Sequence, residues 1–350
     1  LPTRFLELSL RSIKNQPNND AALYQPYQTP TDESPLAKLS EEVTPTFLGQ
    51  TTLRLNTILL KPIPAQTPII AVDVSSIKIG ETAAGIIIAI RGVIIWKQQH
   101  RYSYLRIGPF PFHITEENRA EIYQLFRQYS FDTPENSVSA HTSAPSLIHM
   151  QTRMATLLER WLQMVVASQS RSSLILLDGS LTAGTSDSPT HIMLQLLETA
   201  RSRLNTVLAI SKVTRLRLSG HRLTDLIEKC TPPCLLEMDG YPVAPASNIR
   251  FLGKIYVAKL SEGNCSFRLD IDRKIPHEQA IDAVERLIAN DLVLESYPET
   301  LKLAHIYSTF TANEVIATQR FLAQAHGLKT ITKPNIRRLL FGPFGKGPEG

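Results

Sequence analysis

Cysteine is scarce in this chain. Three in 350 residues do not make a disulfide framework, and the spacing Cys230-Thr231-Pro232-Pro233-Cys234 lacks the second pair or histidine motif that a zinc site needs. The thiols are read as reduced. Long apolar runs are also missing: no stretch reaches the ~18 consecutive apolar residues of a membrane span, so no membrane association is expected. The start, Leu1-Pro2-Thr3-Arg4, carries no basic-then-apolar secretory pattern, and a cytoplasmic location is expected. A Walker A loop is absent as well, because Gly345-Lys346-Gly347 has neither the upstream glycine spacing nor the following Ser or Thr. Any ATP-driven motion would then come from a partner.

What is present is ordinary globular material: 43% hydrophobic and 20% charged residues, enough for one large or two modest domains. The net charge of +5 and a pI near 9.1 favour an anionic partner such as nucleic acid. The sequence is organised around Ile69-Ile70-Ala71-Val72-Asp73-Val74-Ser75-Ser76, an apolar run that reads as a buried strand delivering one carboxylate to its C-terminal edge. The pattern returns in Leu174-Ile175-Leu176-Leu177-Asp178-Gly179-Ser180. Two strand-end acids suggest a site for a hard divalent metal, where oxygen ligands from different elements converge. The bland reading is that each Asp caps a turn or a following helix.

Between these anchors, residues 1 to about 60 alternate short apolar pieces with Pro/Asn/Gln/Asp-rich stretches and read as a partly ordered arm, or alternatively a partner contact. Gly85 to Trp96 reads as two β-rich runs joined by an Arg91-Gly92 turn. A helix is expected after Thr115 as N-cap, then a polar loop at 131–147. Met150 to Val166 has a wide apolar helical stripe with Glu159 at its edge. A helix at about 190–204 and a strand at 206–212 complete a strand, helix, strand crossover around Asp178. The segments 255–260 and 266–271 alternate as hairpin strands, and the chain from Pro276 onward is mostly helical by spacing. Spacing alone selects neither Glu159 nor His305: the first reads as a solvated helix residue and the second as a packing histidine.

Taken together and in order, Asp73 with its strand, the Glu159 helix, Leu177-Asp178-Gly179-Ser180, Ile210-Ser211-Lys212, Tyr256-Val257-Ala258-Lys259-Leu260 and Tyr297-Pro298 ahead of Ala304-His305 resemble the NurA nucleases over about residues 67 to 320. The resemblance implies an α/β fold, an RNase H-like mixed sheet flanked by helices. It further implies a deoxyribonuclease using manganese or magnesium, two ions by expectation, with Asp73, Glu159, Asp178 and His305 as catalytic and metal-binding groups. It also implies 5′ to 3′ polarity, a homodimer, and cooperation with a hexameric HerA-type translocase in processing broken DNA ends. The expected organisation is an arm over residues 1–65, a nuclease core over 66–310, and a helical region with a basic tail over 311–350. Val74 departs from the family pattern, which has Gly after the first Asp.

Lys212, Arg215, Arg217, Lys259 and Arg268 are the candidate DNA contacts, against an ordinary reading as surface or salt-bridging cations. Lys212, Arg215 and Arg217 belong to a basic stretch with Arg201, Arg203 and Arg222 that could line a groove for single-stranded DNA. Asp270 and Asp272 alternate with Leu269 and Ile271 as on a solvent-facing strand side and are left out of the catalytic set. Two other functions remain open. One is a catalytically silent DNA-binding scaffold of the same fold; the other is an actin-like phosphotransferase, which would want glycines where Asp73-Val74-Ser75-Ser76 has none.

Overall fold

A computed structural model of the chain describes residues 2–14, 22–24, 46–47, 57–82, 84–131, 144–185, 188–214, 216–218, 220–238, 249–327 and 329–331. Most of the polar loop at 131–147, Arg215, and the basic tail beyond residue 331 lie outside the described residues.

One large mixed sheet organises the molecule. Its main strands are β1 (Ile69–Glu81), β2 (Gly85–Gln98), β3 (Arg101–Thr115), β4 (Leu174–Asp178), β5 (Thr206–Ser211), β6 (Cys234–Glu237), β7 (Gly253–Lys259) and β8 (Phe267–Asp272). They lie in the order β3-β2-β1-β4-β5-β8-β7-β6, with Thr57–Leu59 beyond β6. β1, β2 and β3 form an antiparallel meander, β4 and β5 run parallel to β1, and β8, β7 and β6 continue antiparallel. A meander whose first strand is continued on its other side by two successive parallel strands is the RNase H-like arrangement.

Helices cover both faces, which is why β1 and β4 read as nearly continuous apolar runs. On one side α1 (Pro2–Lys14), α2 (Arg119–Phe131), α3 (Leu147–Gln169) and α4 (Thr190–Ser202) pack over Val72, Val74, Ile88, Ile90, Ile175 and Leu177. On the other, α5 (His277–Asn290) and α6 (Glu299–Ser308) cover Ile69, Ala71, Ile95, Leu174, Leu176 and Leu208. There α7 (Ala312–His326) closes the distal part, with Leu322 against Ile79, Ile87 and Ala89.

Three expectations are corrected. Asp73 is not at the end of its strand: β1 runs eight residues past it, and what ends there is the neighbour, β4. Beyond that point the edge of β1 bonds two glutamine amides, Gln151 donating to the Ser76 carbonyl (3.1 Å) and Gln319 to the Ile79 carbonyl (2.8 Å), before Glu81 pairs with Tyr24 of the short strand Ala22–Tyr24. Arg91-Gly92 is not a turn, because β2 is a single 14-residue strand. A Cβ on Gly92 would stand 2.5 Å from Leu162 Cδ1, so the glycine admits a close helix rather than a chain reversal, and Arg91 is buried against Glu314 of α7 (2.8 Å). The helix expected from Thr115 starts at Arg119, with the Asn118 carbonyl accepting from Ile122 N and the Thr115 and Asn118 side chains closing the loop before it. Within the stretch expected to be a partly ordered arm, residues 2–14 form a docked helix. Phe5 and Leu8 are buried, Phe5 lies 4.9 Å from the Phe126 ring and 5.3 Å from Trp161, and Ser9 donates to the Pro111 carbonyl.

Candidate active site

The parallel register brings the two strand acids together. Val72 pairs with Leu177, so Asp73 and Asp178 stand one step further on as neighbours, on the face covered by α5 and α6. β4 stops at Asp178, and the sheet opens at that point. Gly179, at φ 113°, turns the chain away.

Each acid has its own polar support. Asp73 is 8% exposed and accepts a hydrogen bond from the Ser308 hydroxyl (2.5 Å), while His305 Nδ1, one turn earlier on α6, lies 3.4 Å from the same oxygen. Ser308 is fully buried, so its hydroxyl is held in place by packing. Asp178 is paired with Lys212, whose Nζ lies 2.8 Å from Oδ2. Glu159 comes from α3 in the opposite layer and is buried rather than solvated. It accepts from the Gln163 amide (2.8 Å), which in turn accepts from Arg160 (2.7 Å), and Arg160 also donates to Ser188 Oγ (3.0 Å).

The electrostatics follow chiefly from burial. Burial pushes the Glu159 carboxyl up to about 8; the Arg160 charge opposes the rise, and Asp73 and Asp178 add to it. Burial also raises the Asp178 carboxyl, with Lys212 and His305 drawing it back and Asp73 adding to the rise. Tyr297 sits over the same region. Its hydroxyl is buried without a hydrogen-bond partner among the described residues, and burial together with the charges of Asp178 and Asp73 holds its proton firmly. The Tyr297 ring lies 5.5 Å from the Lys212 ammonium.

Asp73, Glu159, Asp178 and His305 are therefore brought into one electrostatic neighbourhood by four different elements. By donor chemistry they suit a hard divalent cation, being three carboxylates with one imidazole. Among the described residues, no group of three or more His, Cys, Asp or Glu already stands close enough together to hold a metal ion. Gln163, Ser308 and the Tyr297 hydroxyl escaped the sequence reasoning. The available signals were helical spacing, Gln163 four residues after Glu159 and Ser308 three after His305, which puts each pair on one face.

The candidate DNA contacts separate. Lys212 is at the site and 40% exposed. Arg217 is exposed on a small hairpin, Arg217–Leu218 with His221–Arg222, directly opposite the exposed Arg222. Lys259 and Arg268 do not face solvent. The Lys259 ammonium donates to the carbonyls of Glu228 (2.6 Å) and Cys230 (3.2 Å), and Arg268, 2% exposed, forms a two-bond pair with Asp270 (2.7 Å each). Both are structural cations, because moving either to a phosphate would abandon buried partners. Asp270 and Asp272 are buried too, rather than solvent-facing: Asp270 accepts from Leu181 N (3.0 Å), which fixes the loop after Asp178, and Asp272 pairs with Arg201.

No curated protein matches the chain. A solved structure titled "Crystal structure of NurA" aligns with 76% of this chain and 90% of its own, at 9% identity and a TM-score of 0.41. The family model described as the NurA domain matches residues 67–308, a span that begins just before β1 and ends on Ser308. The chain thus belongs to the NurA family of nucleases.

Proposed function

We propose that this protein is a metal-dependent deoxyribonuclease that hydrolyses phosphodiester bonds at the Asp73, Glu159, Asp178 and His305 cluster. The observation that carries the reading is the convergence of three carboxylates from separate elements, two of them with proton affinity raised chiefly by burial and further by the neighbouring acids. One or two manganese or magnesium ions, with these acids and His305 as ligands, would supply water activation and charge neutralisation at the leaving oxygen.

The chain's own residues do the rest. Ser308 and His305 hold Asp73 by one of its oxygens, Oδ2, and among the described residues the other has no hydrogen-bond partner. Gln163 holds Glu159 in the same manner. His305 is half-exposed and stands where it can orient water or the scissile group. The Tyr297 hydroxyl is a buried donor with no acceptor among the described residues, suited to an incoming oxygen. The hairpin carrying Arg217 and Arg222 follows directly from the end of β5, and paired exposed arginines suit sequence-independent contacts to phosphates.

Family likeness extends the proposal to a 5′ to 3′ exonuclease with single-strand endonuclease activity. It also extends it to a homodimer working with a HerA-type hexameric translocase in DNA end resection and double-strand break repair. The test is cleavage of 5′- and 3′-labelled linear DNA by the purified protein with manganese, magnesium or chelator, beside Asp73→Ala. Metal-dependent cutting that the variant loses is the expected result, and the labels read the polarity. DNA binding without cutting in either metal, with or without a translocase, would favour a silent scaffold, whereas retained metal binding would count against it.

A further inference from the structure

Lys212 is placed unlike the other cations of the core. Arg268 and Lys259 each have two fixed acceptors in buried surroundings, whereas Lys212 ends a strand, remains 40% exposed, and rests its ammonium on Asp178 and over the Tyr297 ring. The position is dictated by register. Ile210 pairs with Asp178, so Lys212, two residues on, projects on the same face just past the last rung of the ladder. Its charge lies in the neighbourhood of three acids, two of which bind protons more tightly than usual chiefly because they are buried.

We propose that Lys212 is a tethered cation: it occupies Asp178 until a divalent ion displaces it, and the released ammonium then becomes available to a phosphate of the DNA strand. This rests on the metal-dependent reading above. An ammonium 2.8 Å from Asp178 Oδ2 and a divalent ion bound to that carboxylate repel one another, so the two are alternatives. The half-exposed four-carbon stem and the Tyr297 ring give the ammonium a path away from Asp178 without unfolding anything. Metal and DNA are then coupled through one side chain. Metal binding frees the cation that the phosphate uses, and by linkage DNA that has captured the ammonium makes metal binding easier.

The sign of the expected effect is opposite to that of a lysine that merely supports the fold or helps to hold the metal site. Manganese binding to the full chain is measured by titration calorimetry without DNA, for the wild type, Lys212→Met, Lys212→Gln and Lys212→Arg, with Asp178→Asn marking the heat that belongs to the site. Removing the ammonium should tighten manganese about tenfold, roughly the worth of one partly exposed charge pair beside a divalent ion, and Lys212→Arg should stay near the wild type. The same Lys212→Met should weaken single-stranded DNA more in the presence of metal than in chelator. Unchanged or weaker manganese binding in both neutral variants overturns the proposal while the metal reading stands. No manganese binding by the wild type or either neutral variant overturns both.

Discussion

Glu159→Gln separates the electrostatic account from one in which the acids are independent surface groups. The carboxyl is moved from 4.5 to about 8 chiefly by burial, so the folded chain binds that proton more tightly than the unfolded chain. Its stabilising contribution is whole below pH 4.5 and is lost as the pH rises toward about 8. A tenfold change in proton affinity is worth about 1.4 kcal/mol, which sets a ceiling of about 5 kcal/mol; water entry and relaxation reduce this to roughly 2–4 kcal/mol. Asp178 moves in the same direction and adds a parallel loss, so the informative quantity is the difference between variant and wild type. Gln keeps the shape and the contact to Gln163 while removing the titration. In urea unfolding of chelator-treated protein at pH 4.5 and pH 8.5, Glu159→Gln should be near the wild type at the lower pH and more stable by about 2–4 kcal/mol at the higher. Equal stability of the two proteins at both pH values would refute the reasoning, because it would mean that Glu159 ionises without cost.

Two further outcomes follow from the fold. Arg268→Met should cost about 3–5 kcal/mol by stranding the buried Asp270 carboxylate, and denaturant unfolding checks this; a variant of full stability with weakened DNA binding would restore Arg268 as a DNA contact. Phe5→Ala should cost about 3–5 kcal/mol, since the ring is 1% exposed and packed on Phe126 and Trp161; a cost below about 1 kcal/mol would show that α1 is an ornament rather than core.

The parts of the fold that were legible in the sequence are those whose burial is two-sided or strictly periodic. β1 and β4 announce themselves as unbroken apolar runs, α3 by its wide stripe, and the β7–β8 hairpin by alternation around Glu262-Gly263-Asn264. What failed were inferences from local residue chemistry where tertiary contact decides. Gly92 reads as a turn but answers to Leu162, which is distant in sequence. Asp270 and Asp272 read as solvent-facing because nothing local reveals Arg268, two residues along the same strand, and Arg201 of α4 as their partners. The site was half legible: strand-end position marks Asp178, but Glu159 and His305 are picked out only by family resemblance. Gln163 and Ser308 act through contacts that exist only once α3 and α6 are docked.

The central claim is that Asp73, Glu159 and Asp178 share a divalent ion, and anomalous diffraction from crystals grown with manganese tests it most directly. The account predicts a manganese peak bounded by Asp73 and Asp178 on the α6 face, within ligand distance of Glu159 or of a water that it holds, and with Lys212 withdrawn from Asp178. A peak elsewhere, such as beside Asp272, or full metal loading with no density between Asp73 and Asp178, would contradict it.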